Sequence, residues 1–223
     1  MDTVVTNGHN VLGMNRKHLV DVVITAGHDS NHPETQRGAW AAVSGGWYAY
    51  LAKDCDLALI RLASPFKGAA ELEWVPTPPM QQGSEMTCDV LGLLWAETPN
   101  LTRSPGRCTL DDASGMRMIR HSADTDRGKW AFCIKVTFSQ ANLERTGSSG
   151  SALLQGDTVI GVHRGYNHFE NEAVVLDRGR NNLDEFRKVL DWVTGGPMPQ
   201  GWRFVCIMDV DKTRVYGYHR SSA

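Results

Sequence analysis

Three polar residues at the ends of apolar segments could together activate a serine. Ser149 lies in the turn GSSG (147–150), whose glycines permit a tight turn that exposes a hydroxyl and backbone N–H groups. A serine is a poor nucleophile until a base removes its proton, and that base must be oriented by a third group. His28 follows the apolar segment 19–27, and Asp56 opens the segment DLALIRL. Both side chains are therefore expected at strand ends, where they could meet the serine.

Two of these positions have a neighbour that competes for the same role. Asp54 is a second acid in KDCD (53–56), but Asp56 directly precedes the apolar strand and is the favoured acid. Ser148 is a rival nucleophile, and the pattern G-x-S-G favours Ser149.

Short apolar segments punctuated by turn residues predict strands that would position these side chains. The proline-rich segment 75–84 cannot lie inside a sheet and indicates a linker between two clusters of strands. The predicted fold is all-β, with two antiparallel barrels. The predicted units are residues 1–78 with His28 and Asp56, residues 79–180 with Ser149, and a C-terminal part, 181–223. The predicted strands are 19–27, 47–52, 56–62, 86–95, 130–138, 157–165 and 172–176.

The C-terminal part is predicted to be a helix and hairpin appendage. Apolar residues at helical spacing predict a helix over 183–193, and the segment 202–218 is typical of a hairpin that turns at 209–212. Four cations lie among aromatic residues in this segment, which would allow RNA contact, but three nearby aspartates make this a thin signal. A hairpin that covers one end of a barrel would have the same pattern.

Composition limits the class of protein. The net charge of −2 argues against a dominant nucleic-acid surface, and no apolar segment approaches the roughly 20 residues that span a bilayer. No secretory signal pattern is present at the N-terminus. The five cysteines are scattered and never form C-x-x-C, which indicates free thiols in a reducing compartment, such as a host cytoplasm, and no structural metal site. We expect no cofactor.

The segments ITAGH, DLALIRL and GSSGSAL, in that chain order, resemble the His, Asp and Ser boxes of chymotrypsin-like serine proteases. Their compact spacing is similar to that of the polyprotein-processing proteases of positive-strand RNA viruses, such as the sobemovirus-like enzymes. The resemblance covers about residues 18–178. It implies two six-stranded barrels and a polypeptide substrate, which for a viral enzyme includes its own polyprotein.

Carried over to this sequence, the resemblance gives each residue a role. Ser149 would attack the scissile carbonyl, His28 would take its proton and return it to the leaving amine, and Asp56 would orient and stabilise the imidazole. The backbone N–H groups of Gly147 and Ser149 would bind the oxyanion.

The resemblance also implies a specificity pocket. Relatives with a histidine at the position of His163 prefer glutamate or glutamine on the acyl side of the cut, because imidazole can donate a hydrogen bond to the side-chain oxygen. The usual threonine five residues before the nucleophile is replaced by Glu144, which would repel a glutamate unless it points away and Thr146 substitutes for it. A histidine packed only for structure is the alternative at His163.

Two other functions are compatible with the same sequence. One is a cellular trypsin-like protease with the same triad, for which paired cysteines or a signal peptide would be expected. The other is a protease-fold scaffold that binds RNA or a protein partner without turnover. The presence of all three triad residues argues against the scaffold.

Overall fold

The computed structural model of the chain is mostly β, which confirms the predicted fold class. Among the described residues, no helix is long and apolar enough to cross a membrane. The structure describes residues 2–12, 22–26, 33–67, 71–81, 83–95, 99–111, 117–123, 148–167, 169–177, 180–197, 205–209 and 214–218. Its strands are β1 (Thr3–Thr6), β2 (Val23–Ala26), β3 (Glu34–Ser44), β4 (Ala58–Leu62), β5 (Met86–Trp95), β6 (Pro99–Asp111), β7 (Met118–His121), β8 (Ala152–Gln155), β9 (Thr158–Tyr166), β10 (Asn171–Val175), β11 (Val205–Asp209) and β12 (Arg214–Tyr218). Its helices are α1 (Gly8–Leu12), α2 (Gly45–Tyr50) and α3 (Leu183–Val193).

The strands form two antiparallel units. Strands β5 to β10 close into a six-stranded barrel in the order β10-β7-β6-β5-β8-β9. The other unit is a six-stranded sheet in the order β1-β4-β3-β11-β12, with β2 paired to the first part of β3. Among the described residues this sheet is open, so it forms a half-barrel beside the closed barrel.

The C-terminal hairpin is part of the first sheet. Strand β11 pairs with β3, with Val205 opposite Ser44 and Asp209 opposite Trp40, and β12 pairs with β11. This pairing satisfies backbone N–H and C=O groups along an edge of β3 that would otherwise be unpaired. The predicted appendage is therefore a continuation of the N-terminal sheet. The predicted unit boundaries after residues 78 and 180 stay predictions.

The segment 47–52 was expected to be a strand, and this expectation is wrong. Residues 45–50 form helix α2, and the N–H groups of Leu51 and Ala52 donate to the carbonyls of Trp47 and Gly46. Aromatic residues favour strands, but here leaving the sheet buries the indole of Trp47, which is 1% exposed. Tertiary burial has outweighed local propensity.

One apolar cluster joins both units and the C-terminal helix. Helix α3 begins at the predicted residue, where the side chain of Asn182 accepts hydrogen bonds from the N–H groups of Asp184 and Glu185. Its apolar face packs into the space between the first sheet and the barrel. The buried members of this cluster include Leu57, Leu59, Leu154, Val162, Val174, Phe186, Val189 and Leu190.

Candidate active site

The end of β1 and the start of β4 lie side by side. The two strands are antiparallel, with Thr6 opposite Ala58, so the residues that follow β1 meet those that precede β4. The side-chain amide of Asn7 donates to the carbonyl of Asp56 at 2.9 Å. This pairing brings the first turn of helix α1, which contains His9, against Asp56.

His9 and Asp56 make two hydrogen bonds. The backbone N–H of His9 donates to Oδ1 of Asp56 at 2.9 Å, and Nδ1 of the imidazole lies 2.7 Å from Oδ2. Asp56 is fully buried, whereas the side chain of His9 retains 17% exposure. A carboxylate at Nδ1 favours the tautomer that carries its proton there, which leaves Nε2 as the nitrogen that can accept a proton. This is the arrangement that a general base requires.

The structure separates the two acids that the sequence left as alternatives. Asp56 contacts an imidazole. Asp54 instead forms an ion pair with Arg180 at 3.0 Å, and its carbonyl accepts a hydrogen bond from Asn181. His28, the histidine expected beside Asp56, lies outside the described residues.

The serine turn is held against the same helix. The side-chain amide of Asn10 donates to the carbonyl of Ser149 and to Oγ1 of Thr6, each at 3.0 Å. Gly150 has φ +98°, and a Cβ there would lie 2.6 Å from Oγ1 of Thr6. Only glycine combines this backbone conformation with this close approach. Residues of the first sheet and of the barrel thus meet around Ser149.

In this structure the hydroxyl of Ser149 donates to the carbonyl of Arg164 at 2.6 Å. A hydroxyl has a single proton, so its transfer to an imidazole requires this bond to be released. Catalytic hydrogen bonds often tighten only when substrate is bound.

Ser148 makes a different contact from Ser149. Its hydroxyl lies 2.6 Å from Nε2 of His163, whose Nδ1 lies 2.9 Å from Nε2 of His121. Ser148, His163 and His121 therefore form a buried chain, which we call the imidazole relay. Burial lowers the pKa of His121 to about 4. The pKa of His163 falls well below 6.5, first because of burial and then because of the positive charges that His121 and His9 would carry. Both rings are uncharged at pH 7.

Several residues of the predicted site are not described. Glu144, Thr146 and Gly147 lie outside the described residues. His163 is described, and it is completely buried within the imidazole relay.

Sequence reasoning missed four residues that the structure places in or beside the site: His9, Asn10, His121 and Arg164. For His9 there was a signal, because the segment VVTNGH (4–9) has the same pattern as VVITAGH (22–28): an apolar strand, a threonine, a small residue, a glycine and a histidine. The two cannot be ranked from their local sequence. What distinguishes His9 is the pairing of β1 with β4, which brings it to Asp56, 47 residues along the chain.

Comparison with known proteins identifies the family. The family model described as Trypsin matches residues 1–175. No curated protein matches the chain significantly. One similar solved structure is a Glu endopeptidase in complex with MPD, with a TM-score of 0.58 and 18% identity over 86% of this chain and 80% of that one.

Two further solved structures share the fold. A thermostable serine protease, AL20, from an extremophilic microorganism has a TM-score of 0.53 and 18% identity, over 77% of this chain and 76% of that one. An inactivated protease paralogue of the scabies mite, S-D1, has a TM-score of 0.52 and 13% identity, over 89% of this chain and 86% of that one. At these identities the likeness establishes the fold alone. Because the family model matches more than half of the chain, the chain belongs to the trypsin family of serine endopeptidases.

Proposed function

We propose that this chain cleaves peptide bonds with Ser149 as nucleophile, His9 as general base and Asp56 as the orienting acid. The observation that carries the proposal is the double contact of His9 with the buried carboxylate of Asp56. The bond from Asn10 to the carbonyl of Ser149 supports it, because the same short helix then holds both the base and the nucleophile turn.

The proposed reaction is that of a serine activated by an imidazole and a carboxylate. On substrate binding Ser149 releases the carbonyl of Arg164, Nε2 of His9 takes the hydroxyl proton, and Oγ attacks the scissile carbonyl carbon. The imidazolium is stabilised by Asp56 and gives its proton to the leaving amine, which leaves an acyl-enzyme at Ser149. Water, deprotonated by His9, then releases the acid product. The N–H groups of Gly147 and Ser149 bind the oxyanion, and loss of one such donor typically costs roughly 10²–10³ in rate.

The acyl-side residue of the substrate is glutamine, and less readily glutamate. Because His163 is uncharged at neutral pH, it offers one hydrogen bond and no compensating charge to a buried carboxylate. When Nε2 of His163 carries the proton, the side-chain oxygen of a glutamine can replace Oγ of Ser148 as its acceptor.

The natural substrate is a viral polyprotein, including the chain's own flanks, and the enzyme works in the host cytoplasm. Free buried thiols at Cys55, Cys88 and Cys108 support a reducing compartment. The viral polyprotein substrate stays a prediction from the resemblance of the three sequence boxes. The short spacing between His28 and Asp56 had suggested a viral origin. With His9 as the base, the histidine and the aspartate are 47 residues apart, so this argument for a viral origin no longer holds. RNA binding by the tail stays a prediction, and the pairing of β11 with β3 favours a structural role for this hairpin.

The test is cleavage of a peptide library that varies the acyl-side residue, with products identified by mass spectrometry. Wild-type protein is compared with Ser149→Ala and with the matched variant Ser148→Ala. We expect cleavage after glutamine, loss of cleavage by at least about 10⁴-fold in Ser149→Ala, and continued cleavage with altered selectivity in Ser148→Ala.

Other outcomes would contradict parts of the proposal. Cleavage by Ser149→Ala but not by Ser148→Ala would move the nucleophile. Cleavage after unrelated residues would remove His163 from recognition. A wild-type protein that cleaves nothing in the library would favour the scaffold function.

A further inference from the structure

Arg164 is the residue that connects all parts of the candidate site. It follows His163 in β9, and its side chain is only 14% exposed. Nε lies 3.0 Å from Oδ2 of Asp56, the same oxygen that contacts Nδ1 of His9. The contact is an ion pair and not an aligned hydrogen bond. The backbone carbonyl of Arg164 accepts the hydroxyl of Ser149.

The guanidinium of Arg164 is fixed on two further sides. Nη1 lies 3.8 Å from Oε2 of Glu172, which is also buried and accepts a 2.6 Å hydrogen bond from Asn167 at its other oxygen. The guanidinium lies over the indole of Trp47, 5.9 Å from the ring centroid, and the same indole meets the ring of His9 edge-on at 6.1 Å. Arg164 is therefore held in place beside Asp56.

A buried carboxylate beside a neutral imidazole is an uncompensated charge, which is costly in a low-dielectric interior. Arg164 supplies a permanent positive charge that compensates Asp56 while His9 is neutral. The same charge opposes protonation of His9, since both cations share one oxygen of Asp56. Glu172 offsets part of this effect because it lies against the guanidinium.

We propose that Arg164 is a positioning residue that holds the carboxylate of Asp56 in place against His9 and, balanced by Glu172, sets the lowest pH at which His9 acts as a base. The inference rests on the proposed function, because it concerns the same site. Asp56, Arg164 and Glu172 form an ion triplet with a net charge of −1, which faces His9 while His9 is neutral.

The other ionisable groups near His9 do not supply a charge that could take over the effect of this triplet. Among the described residues packed nearby, His163 is uncharged at neutral pH and Asp54 is paired with Arg180. Burial raises the pKa of Cys55 to about 11, so its thiol is neutral as well.

The charge count gives opposite predictions for two variants. Arg164→Met leaves two carboxylates without the cation, so His9 is protonated more readily. The acid limb of the pH profile of kcat/KM then moves up by about one pH unit, which lowers activity on that limb about tenfold. Glu172→Gln leaves the cation less balanced, so the limb moves down by a few tenths of a unit. Arg164→Lys and the double variant Arg164→Met, Glu172→Gln keep the net charge, so the pH of their acid limb stays close to that of wild type, whatever the change in the maximal rate.

The experiment measures this profile for the four variants and wild type, together with the low-field proton resonance of Nδ1 of His9 followed against pH by NMR. Parallel shifts of both readouts, in opposite directions for the two single variants, are expected. An acid limb and a resonance that titrate unchanged in Arg164→Met would overturn the proposal, as would shifts of the same sign in Arg164→Met and Glu172→Gln.

The two proposals fail in different ways. If wild-type protein hydrolyses no peptide, the proposed function fails, while the resonance still tests the effect of Arg164 on His9. If the wild type is active and the limb does not move, only the role of Arg164 fails.

Discussion

At the scale of single residues, the imidazole relay places two ionisable rings where charge is disfavoured. His121 is 4% exposed and His163 is completely buried, and the Nδ1 of His121 has no hydrogen-bond partner among the described residues. A positive charge on either ring would be neither solvated nor paired. The relay is therefore a neutral hydrogen-bonding unit near neutral pH.

This neutrality makes stability depend on pH. The pKa of His121 falls from 6.5 in the unfolded chain to about 4 in the fold, so the unfolded state binds more protons between these values. The contribution is complete above pH 6.5 and is lost as the pH falls toward 4, by about 3 kcal/mol of unfolding free energy. Denaturant unfolding of wild type and His121→Leu at pH 7, 5.5 and 4 checks this.

We expect the free energy of unfolding to fall more steeply on acidification in the wild type than in His121→Leu. Equal slopes for the two proteins would mean that His121 is already charged, or already solvated, in the folded state.

Residue-level prediction from sequence was partial for a physical reason. The turn around Ser149 is predicted by its flanking glycines, and the strand that starts near Asp56 is predicted by its apolar pattern, because both features are local. The imidazole that contacts Asp56 is chosen by strand pairing, and two threonine–glycine–histidine boxes satisfy the local pattern equally. The role of Arg164 could not be predicted from the sequence either, because its partners Asp56 and Glu172 lie in other elements.

At the scale of elements, the turn from Ser148 to Gly150 lies between β9 and helix α1 and forms hydrogen bonds with both. The N–H of Gly150 donates to the carbonyl of His163, and that of His163 donates to the carbonyl of Ser151. Asn10 holds the other side of the turn. The position of Ser149, the proposed nucleophile, therefore depends on backbone geometry at Gly150.

Replacing Gly150 by alanine tests this dependence. The new Cβ would meet Oγ1 of Thr6 at 2.6 Å on a backbone with φ +98°, so we expect a loss of roughly 2 kcal/mol or more of stability and about 10²-fold lower kcat/KM. Gly156→Ala is the matched control, since φ there is +60° and nothing lies within 4 Å of the added Cβ. It should cost about 1 kcal/mol without affecting activity.

Thermal unfolding and peptide hydrolysis measure both effects. If Gly150→Ala behaves like Gly156→Ala in both measurements, the close contact with Thr6 does not constrain the turn.

Elements were predicted unevenly from sequence. Strand β5 and helix α3 have the predicted bounds, because each carries an uninterrupted apolar pattern of the right period. The helix α2 was missed, since its aromatic residues favour strands and only the burial of Trp47 explains it. The pairing of β11 with β3 joins residues more than 160 positions apart, and no local sequence pattern predicts such a contact.

At the scale of the whole molecule, the site forms only where the two units meet. His9 lies in helix α1 after β1, and Asp56 lies just before β4, both beside the first sheet, while Arg164 lies in β9 of the barrel and Ser149 lies in the turn before β8. The shared apolar cluster around helix α3 holds the units together behind these residues. This arrangement explains why residues far apart in sequence converge, and why the trypsin-family match extends across both units.

The central claim is that His9 is the base that activates Ser149. The most direct measurement is the rate at which a phosphonylating serine reagent labels Ser149 in wild type, His9→Ala and His28→Ala, with the modified residue located by mass spectrometry. We predict labelling at Ser149 that is at least about 10³-fold slower in His9→Ala and close to wild type in His28→Ala. Rapid labelling of His9→Ala together with loss in His28→Ala would contradict the account and return the role of base to His28.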